Sequence, residues 1–216
     1  MQITIREPGS AITHFVAMML AVLASTPLLV KTAEDGNMQA MTAMAIFMGS
    51  MILLYGASTL YHSVMVKEKI LRVFQKIDHM MIFILIAGTY TPVCLLVLGG
   101  KTGKILLAAI WGIAAAGMLF KAVWVNCPKW VSSIIYIAMG WACVFVFGQL
   151  LEELSKAAFF WLFLGGVIYT VGGVIYALKL PIFNAKHEVF GSHEVFHLFV
   201  MAGSLCHFIF MYQYVA

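Results

Sequence analysis

The sequence has very little charge for a protein of its length. Of its 216 residues, 10% are Asp, Glu, Lys or Arg, whereas 63% are hydrophobic, and the mean hydropathy is +0.99. Soluble domains carry about 25% charged residues. This composition therefore excludes an ordinary soluble domain and predicts a multi-pass protein of a cell membrane, with membrane lipids as its surroundings.

The sequence also lacks paired cysteines and clustered basic residues. Its four cysteines, Cys94, Cys127, Cys143 and Cys206, form no CxxC pair. This spacing argues against a zinc ribbon and a disulfide framework, so we expect them to pack as small hydrophobic residues. The formal net charge is +4, but Lys and Arg are spread over short loops. We therefore expect no nucleic-acid partner.

What the sequence has instead is long runs without charged residues. A membrane-spanning helix needs about 20 predominantly apolar residues. The runs predict an all-α fold, a seven-transmembrane helix bundle that forms a single domain over residues 1–216. The predicted spans are approximately 10–30, 41–65, 78–98, 104–125, 131–150, 157–178 and 194–214.

Two details of these spans make structural predictions. The fourth charge-free run is short because it ends at Lys121, whose ammonium we expect to snorkel to the membrane interface. Gly165 and Gly172 lie two turns apart on one face of the sixth span. Small residues at this spacing predict close contact with a neighbouring helix.

Lysine and arginine divide unequally between the two sides of the bundle. If the N-terminus is cytoplasmic, nine of the thirteen lie inside and four lie outside. The inner group is Arg6, Lys67, Lys69, Arg72, Lys76, Lys121, Lys129, Lys179 and Lys186, and the outer group is Lys31, Lys101, Lys104 and Lys156. The positive-inside rule therefore predicts a cytoplasmic N-terminus and an external C-terminus.

Polar residues collect at the cytoplasmic ends of three predicted spans. His62 closes the second span, Asp78 opens the third, and His193 and His197 open the seventh in the sequence HEVFH. The last two are i and i+4 and therefore share one helix face. Under the predicted topology all four lie at one depth, where each needs a polar partner because hydrocarbon offers none.

Histidines converging from two helices predict a zinc site. Imidazole nitrogens suit Zn²⁺ better than Ca²⁺ or Mg²⁺, so we expect His62, His193 and His197 to be the ligands. Three protein ligands leave a fourth position for water, as in catalytic zinc sites. We expect Asp78 to hydrogen-bond that water or act as a base, and Ser58 to support it or donate to a developing oxyanion.

Four further polar residues are expected to have roles other than zinc binding. His14 and His79 lie near the same end of the bundle, and we expect hydrogen-bond partners there rather than ligands. His207 lies ten residues beyond His197, about 15 Å deeper, and is expected to form an interhelical hydrogen bond. Glu194 is interpreted as a solvated interface charge.

Several segments of the chain resemble the hemolysin III family, the bacterial branch of the progestin and adiponectin receptor superfamily. They are REPGSAITH at the start, ASTLYH in the second span, KIDH before the third, AGTYTP within the third, and SHEVFHLFVMAGSLCHF in the seventh. The resemblance implies seven helices, a cytoplasmic N-terminus, and zinc on His62, His193 and His197. It also places Asp78 and Ser58 around the zinc-bound water.

Three functions are compatible with these features. The first is a zinc-dependent hydrolase of a lipid amide or ester taken from the inner leaflet, as the resemblance to lipid amide hydrolases of the wider superfamily implies. The second is a non-catalytic regulator or receptor-like protein with structural zinc. The third is a hemolysin-type cytolysin, which the concentration of polar residues on one side argues against. The sequence names neither the substrate nor the oligomeric state.

Overall fold

The computed structural model describes residues 5–178 and 191–216, and helices account for nearly all of them. The helices are α1 (Pro8–Glu34), α2 (Met38–Ser63), α3 (Glu68–Pro92), α4 (Gly100–Val123), α5 (Lys129–Gly140), α6 (Phe147–Glu153), α7 (Lys156–Leu178) and α8 (Ser192–Phe210). A π-helical segment, Val93–Leu98, continues α3, and a second, Met211–Val215, continues α8. A 3₁₀ segment, Trp141–Val146, joins α5 to α6.

Seven of these helical stretches are long and apolar enough to cross a membrane, with α5 to α6 forming one of them. The prediction of an all-α, seven-helix membrane protein is confirmed. The third stretch begins at Glu68 rather than at residue 78, because its charged first turns continue the helix beyond the apolar run. Lys179 and Lys186, two of the predicted inner cations, lie outside the described residues. The orientation of the termini in the membrane stays a prediction.

Different contacts hold the helices together at the two ends of the bundle. One end, called the site end below, holds the start of α1, the end of α2 and the start of α3 and α8. The backbone N–H of Glu7 donates to the carbonyl of His62 there, over 3.0 Å. At the opposite end the Lys31 ammonium donates to the carbonyl of Tyr212, over 2.5 Å. The predicted grouping of His62, Asp78 and His193 at one end follows from this arrangement.

Two glycine contacts bring neighbouring helices close together. A Cβ at Gly165 would lie 2.5 Å from Nε2 of His207, and one at Gly172 would lie 2.6 Å from Cβ of Phe199. Both contacts are with α8, so the predicted close packing on the face shared by these glycines is confirmed. These contacts hold α8, the helix that carries His193 and His197, close against α7.

The predicted snorkelling of Lys121 is wrong. Its side chain is 1% exposed. Its ammonium donates to the hydroxyl of Ser132 over 2.5 Å and to the thiol of Cys127 over 3.1 Å. The turn after α4 and the first residues of α5 therefore supply polar partners inside the bundle. The cysteines are free, and three of the four are buried, as the spacing predicted.

The close crossing of α2 and α3 fixes the relative depth of His62 and Asp78. A Cβ at Gly88 would lie 2.2 Å from Oγ and 2.5 Å from Cβ of Ser50. This contact lies ten residues from Asp78 and twelve from His62 along the two antiparallel helices, or about 15–18 Å by helical rise. Only glycine at this position permits the observed approach.

We predict that Gly88→Ala destabilises the protein by roughly 1–3 kcal/mol, because the added methyl group overlaps Ser50 in a packed interface. Thermal unfolding of the purified protein in detergent measures the change. Gly112→Ala is the matched control, since a Cβ there meets nothing within 4 Å and alanine favours the helix. Equal unfolding temperatures for the two variants would contradict the prediction.

Candidate metal centre

Three imidazole rings converge at the site end of the bundle. One ring nitrogen from each of His62, His193 and His197 lies within 4.8 Å of the others. The Nε2 atoms of His62 and His193 are 3.3 Å apart. His62 and His197 are each 2% exposed. The structure thus brings together all three histidines predicted as metal ligands.

The start of α8 explains how one helix supplies two of these rings. The backbone N–H of Gly191 donates to the Glu194 carboxylate over 2.8 Å, and the N–H of Val195 donates to the carbonyl of Gly191 over 3.0 Å. These bonds satisfy backbone groups at the helix start. His193 and His197 consequently occupy the first two turns on one face, with ring centroids 4.6 Å apart.

Hydrogen bonds select which nitrogen of each ring faces the centre. Nδ1 of His62 bonds to the carboxylate of Glu7, and Nδ1 of His197 lies 3.2 Å from Oγ1 of Thr13. Nε2 of each ring is therefore left for an ion. A carboxylate behind a histidine fixes the orientation of the ring and raises its basicity as a ligand. The hydrogen bond with His62 also lowers the pKa of Glu7.

Residues just before and within α1 cover the histidine cluster. The contact of Glu7 with this cluster was not predicted from the sequence. The Arg6 guanidinium lies 4.3 Å from the ring centroid of Tyr61, next to His62. Glu7 stands among the residues of the REPGSAITH segment, but as an acidic residue before an apolar run it has the pattern of an ordinary flanking charge. Its bond to His62 depends on the approach of α1 to α2.

Glu194 is not the solvated interface charge that the sequence suggested. It is half-buried and accepts a hydrogen bond from the hydroxyl of Ser10 in α1 as well as from Gly191. Its carboxylate ties the first turn of α1 to the first turn of α8. A position near a helix start does not reveal that the carboxylate meets a second helix.

Asp78 and Ser58 lie beside the cluster, as predicted, without joining its converging nitrogens. Both are buried, and the Ser58 hydroxyl lies next to the Asp78 carboxylate. Charge on Asp78 also interacts with His62. Within the described part of the chain, the converging group consists of the three histidines. Asp78 therefore lies beside the converging nitrogens without being one of them.

The remaining histidines have different surroundings. His14 stacks on His197 with centroids 3.6 Å apart and ring planes 6° apart. Among the residues described, neither of its ring nitrogens has a hydrogen-bond partner, so the expectation of hydrogen bonding is wrong for His14. The His79 ring has an unpartnered Nδ1 within the same residues. His207 lies 3.2 Å from the carbonyl of Leu162 in α7, which confirms the predicted interhelical contact.

A cavity extends from the cluster into the bundle. Its volume of about 180 Å³ is many times the roughly 10–15 Å³ that one water needs. Ser58, Asp78 and His193 line it at the site end, and the other walls are largely apolar and aromatic. Those apolar residues include Ile82, Leu85, Val93, Phe147, Phe159 and Leu162.

The donor set fits zinc. Three imidazole nitrogens can occupy three corners of a tetrahedron and leave the fourth open to the cavity. The burial of the rings and the bonds from Glu7 and Thr13 to the outer nitrogens match the usual surroundings of zinc-binding histidines. Such a centre can polarise a carbonyl group, with Asp78 nearby to exchange a proton.

Comparisons with known proteins agree with this architecture. A family model described as Haemolysin-III related matches residues 2–208. Hemolysin-3 of Bacillus cereus is 36% identical over 97% of this chain and 91% of its own length. The Hemolysin-3 homolog of Bacillus subtilis (strain 168) is 37% identical over 95% and 92%. The human Monocyte to macrophage differentiation factor is 26% identical over 94% and 81%.

We predict that His197→Ala abolishes stoichiometric metal binding, because two imidazoles hold the ion much more weakly than three. Metal analysis of the purified protein after dialysis measures the loss. The control is His207→Gln, whose amide can still donate to the Leu162 carbonyl at a place outside the cluster. Equal zinc in His197→Ala and the wild type would rule out this metal centre.

A second prediction concerns the carboxylate behind His62. Glu7→Gln should weaken zinc affinity by roughly 10–100-fold, the usual effect of losing a hydrogen-bond partner of a metal-binding histidine. Competition with a chromophoric chelator measures the affinity. Glu68→Gln is the control, because Glu68 is a surface residue paired with Arg72 on α3. Unchanged affinity in Glu7→Gln would show that Glu7 does not support the metal.

Proposed function

The chain belongs to the haemolysin-III related family, and from this premise we propose that it is a zinc-dependent hydrolase of the cell membrane that cleaves a lipid amide or ester. The observation that carries the proposal is the convergence of three histidine nitrogens at the polar end of an apolar cavity. A catalytic centre needs such an opening, whereas a purely structural zinc site is closed by a fourth protein ligand.

When bound, zinc would polarise the scissile carbonyl and favour ionisation of the attacking water. His62, His193 and His197 would hold the ion. Glu7 and Thr13 would keep two of these rings in the required orientation through the hydrogen bonds already described. The metal-binding rings would thus be preorganised before substrate binds.

Asp78 is suited to move the proton. It is buried next to Ser58 and His62, at the edge of the cavity. It would accept a proton from water as the water oxygen attacks the carbonyl carbon. It would then return a proton to the departing nitrogen or oxygen as the bond to carbon breaks. The products are a carboxylic acid and an amine or alcohol, and Asp78 ends the cycle in its starting form.

The cavity is suited to the acyl chain. Residues such as Leu85, Val93 and Phe159 would bury it, and apolar walls with few polar groups are typical of ligand sites. If the N-terminus is cytoplasmic, as the distribution of Lys and Arg predicts, the polar end lies near the inner leaflet. Substrate would then enter from that leaflet.

We predict that Asp78→Asn lowers hydrolysis at least about 100-fold, because general base catalysis contributes roughly that factor or more. The measurement is fatty-acid release from radiolabelled acyl amides and esters by purified protein in a neutral detergent. Asp35→Asn is the control, since Asp35 is an exposed residue at the opposite end of the bundle. Zinc content is measured in parallel to ensure that both variants retain the metal.

A regulator with structural zinc gives a different result in the same assay. The wild type would then bind zinc yet release no fatty acid from any amide or ester, and Asp78→Asn would match it. Such an outcome, repeated over lipids of different chain length, would contradict the hydrolase proposal. A cytolysin would instead release dye from lipid vesicles without cleaving their lipids.

A further inference from the structure

Lys121 is a buried cation whose partners are neutral. Its side chain is 1% exposed, and its hydrogen bonds are to the Ser132 hydroxyl and the Cys127 thiol. Among residues 5–178 and 191–216, no carboxylate forms an ion pair with it. Buried ammonium groups are nearly always paired with an opposite charge, because removing the charge from water is costly. A lysine ammonium also has three donors, and these two bonds use two of them.

The position of Lys121 shows where an anionic ligand could bind. Lys121 and Ser132 line the same cavity as Asp78 and His193. Ser133, which is also buried, belongs to the same wall. The space next to the ammonium is therefore continuous with the apolar part of the cavity and with the histidine cluster.

The charges around this end of the cavity favour an anion. Asp78 is the single carboxylate among the described residues of the lining, and it interacts with Ser58 and His62 instead. A second ammonium, that of Lys129, lies 4.2 Å from the ring centroid of Tyr176, another residue of the lining. Two ammonium groups thus lie at or near a cavity whose described lining contains one carboxylate, that of Asp78.

We propose that Lys121, assisted by the Ser132 hydroxyl, binds the carboxylate or phosphate of an acyl lipid whose chain occupies the apolar part of the cavity. Oxyanions of this type accept charge-assisted hydrogen bonds from ammonium groups, which are stronger than bonds between neutral partners. A single cavity containing both an ammonium and an apolar wall recognises a molecule that has both an anionic head and a hydrocarbon chain.

This assignment rests on the proposed function in one respect: it names an anionic acyl lipid as the substrate class of the hydrolase. Binding itself requires neither metal nor turnover. Protein treated with a chelator therefore tests the lysine site alone, and failure of catalysis leaves the binding result unaffected.

The experiment measures equilibrium binding of radiolabelled hexadecanoate to chelator-treated protein in a neutral maltoside detergent. Competitors are hexadecyl phosphate, hexadecanol and inorganic phosphate. We expect both long-chain anions to bind wild-type protein at least about tenfold more tightly than hexadecanol, as hydrogen bonds to charged groups imply. Inorganic phosphate at the same concentration as hexadecyl phosphate should not compete, because it cannot fill the apolar part of the cavity.

The variant Lys121→Met keeps the length and apolar character of the stem and removes the charge. It should weaken binding of both anions by roughly tenfold or more and leave the affinity for hexadecanol unchanged. Lys121→Arg should retain most of the preference for anions. Lys104→Met is the matched control, since Lys104 is exposed and lies outside this cavity.

Three results would overturn the proposal. The first is equal affinity of wild-type protein for hexadecanoate and hexadecanol, which decides the matter even if Lys121→Met does not fold. The second is an equal loss of affinity for anionic and neutral ligands in Lys121→Met, which would indicate that Lys121 has a structural role. The third is competition by inorganic phosphate as effective as that by hexadecyl phosphate, which would indicate a site for a free ion.

Discussion

The arrangement of this bundle depends on three imidazole rings that lie next to one another, two of them buried and the third, that of His193, partly buried. A polar nitrogen removed from water needs a partner, and lipid supplies none. The outer nitrogens of His62 and His197 meet Glu7 and Thr13, whereas the inner nitrogens meet one another across a few ångströms. This arrangement suits a bound cation, which would give all three inner nitrogens the same partner.

Helix α1 is as important to this centre as the helices that supply the ligands. Glu7 orients a ring on α2, Thr13 orients a ring on α8, and Ser10 bonds to Glu194 at the start of α8. The stacking of His14 on His197 adds a ring-to-ring contact between α1 and α8. Helix α1 and its N-cap residue Glu7 therefore connect the two helices that would bind the ion, and loss of this segment would loosen both.

The features that could be predicted from sequence were those governed by spacing along one helix or by the absence of charge. The i, i+4 relation of His193 and His197 and the charge-free runs are of this kind, and they led to the cluster and to seven helices. Contacts that arise when separate helices meet could not be predicted. Glu7, Glu194 and Lys121 each have the pattern of a charge at a membrane edge, and each has a side-chain partner on a neighbouring element.

Lys121 and Asp78 are buried charges of opposite sign that line one cavity without forming an ion pair. Had the two side chains paired, each would have neutralised the other, and the cavity would have kept neither a free base nor a free cation. Asp78 instead associates with Ser58 and the histidine cluster, and Lys121 with Ser132 and Cys127. Opposite charges kept apart in one cavity cost stability. A ligand that places its carbonyl beside the histidines and its anion beside Lys121 recovers that cost upon binding, so the separation favours ligands that carry both groups.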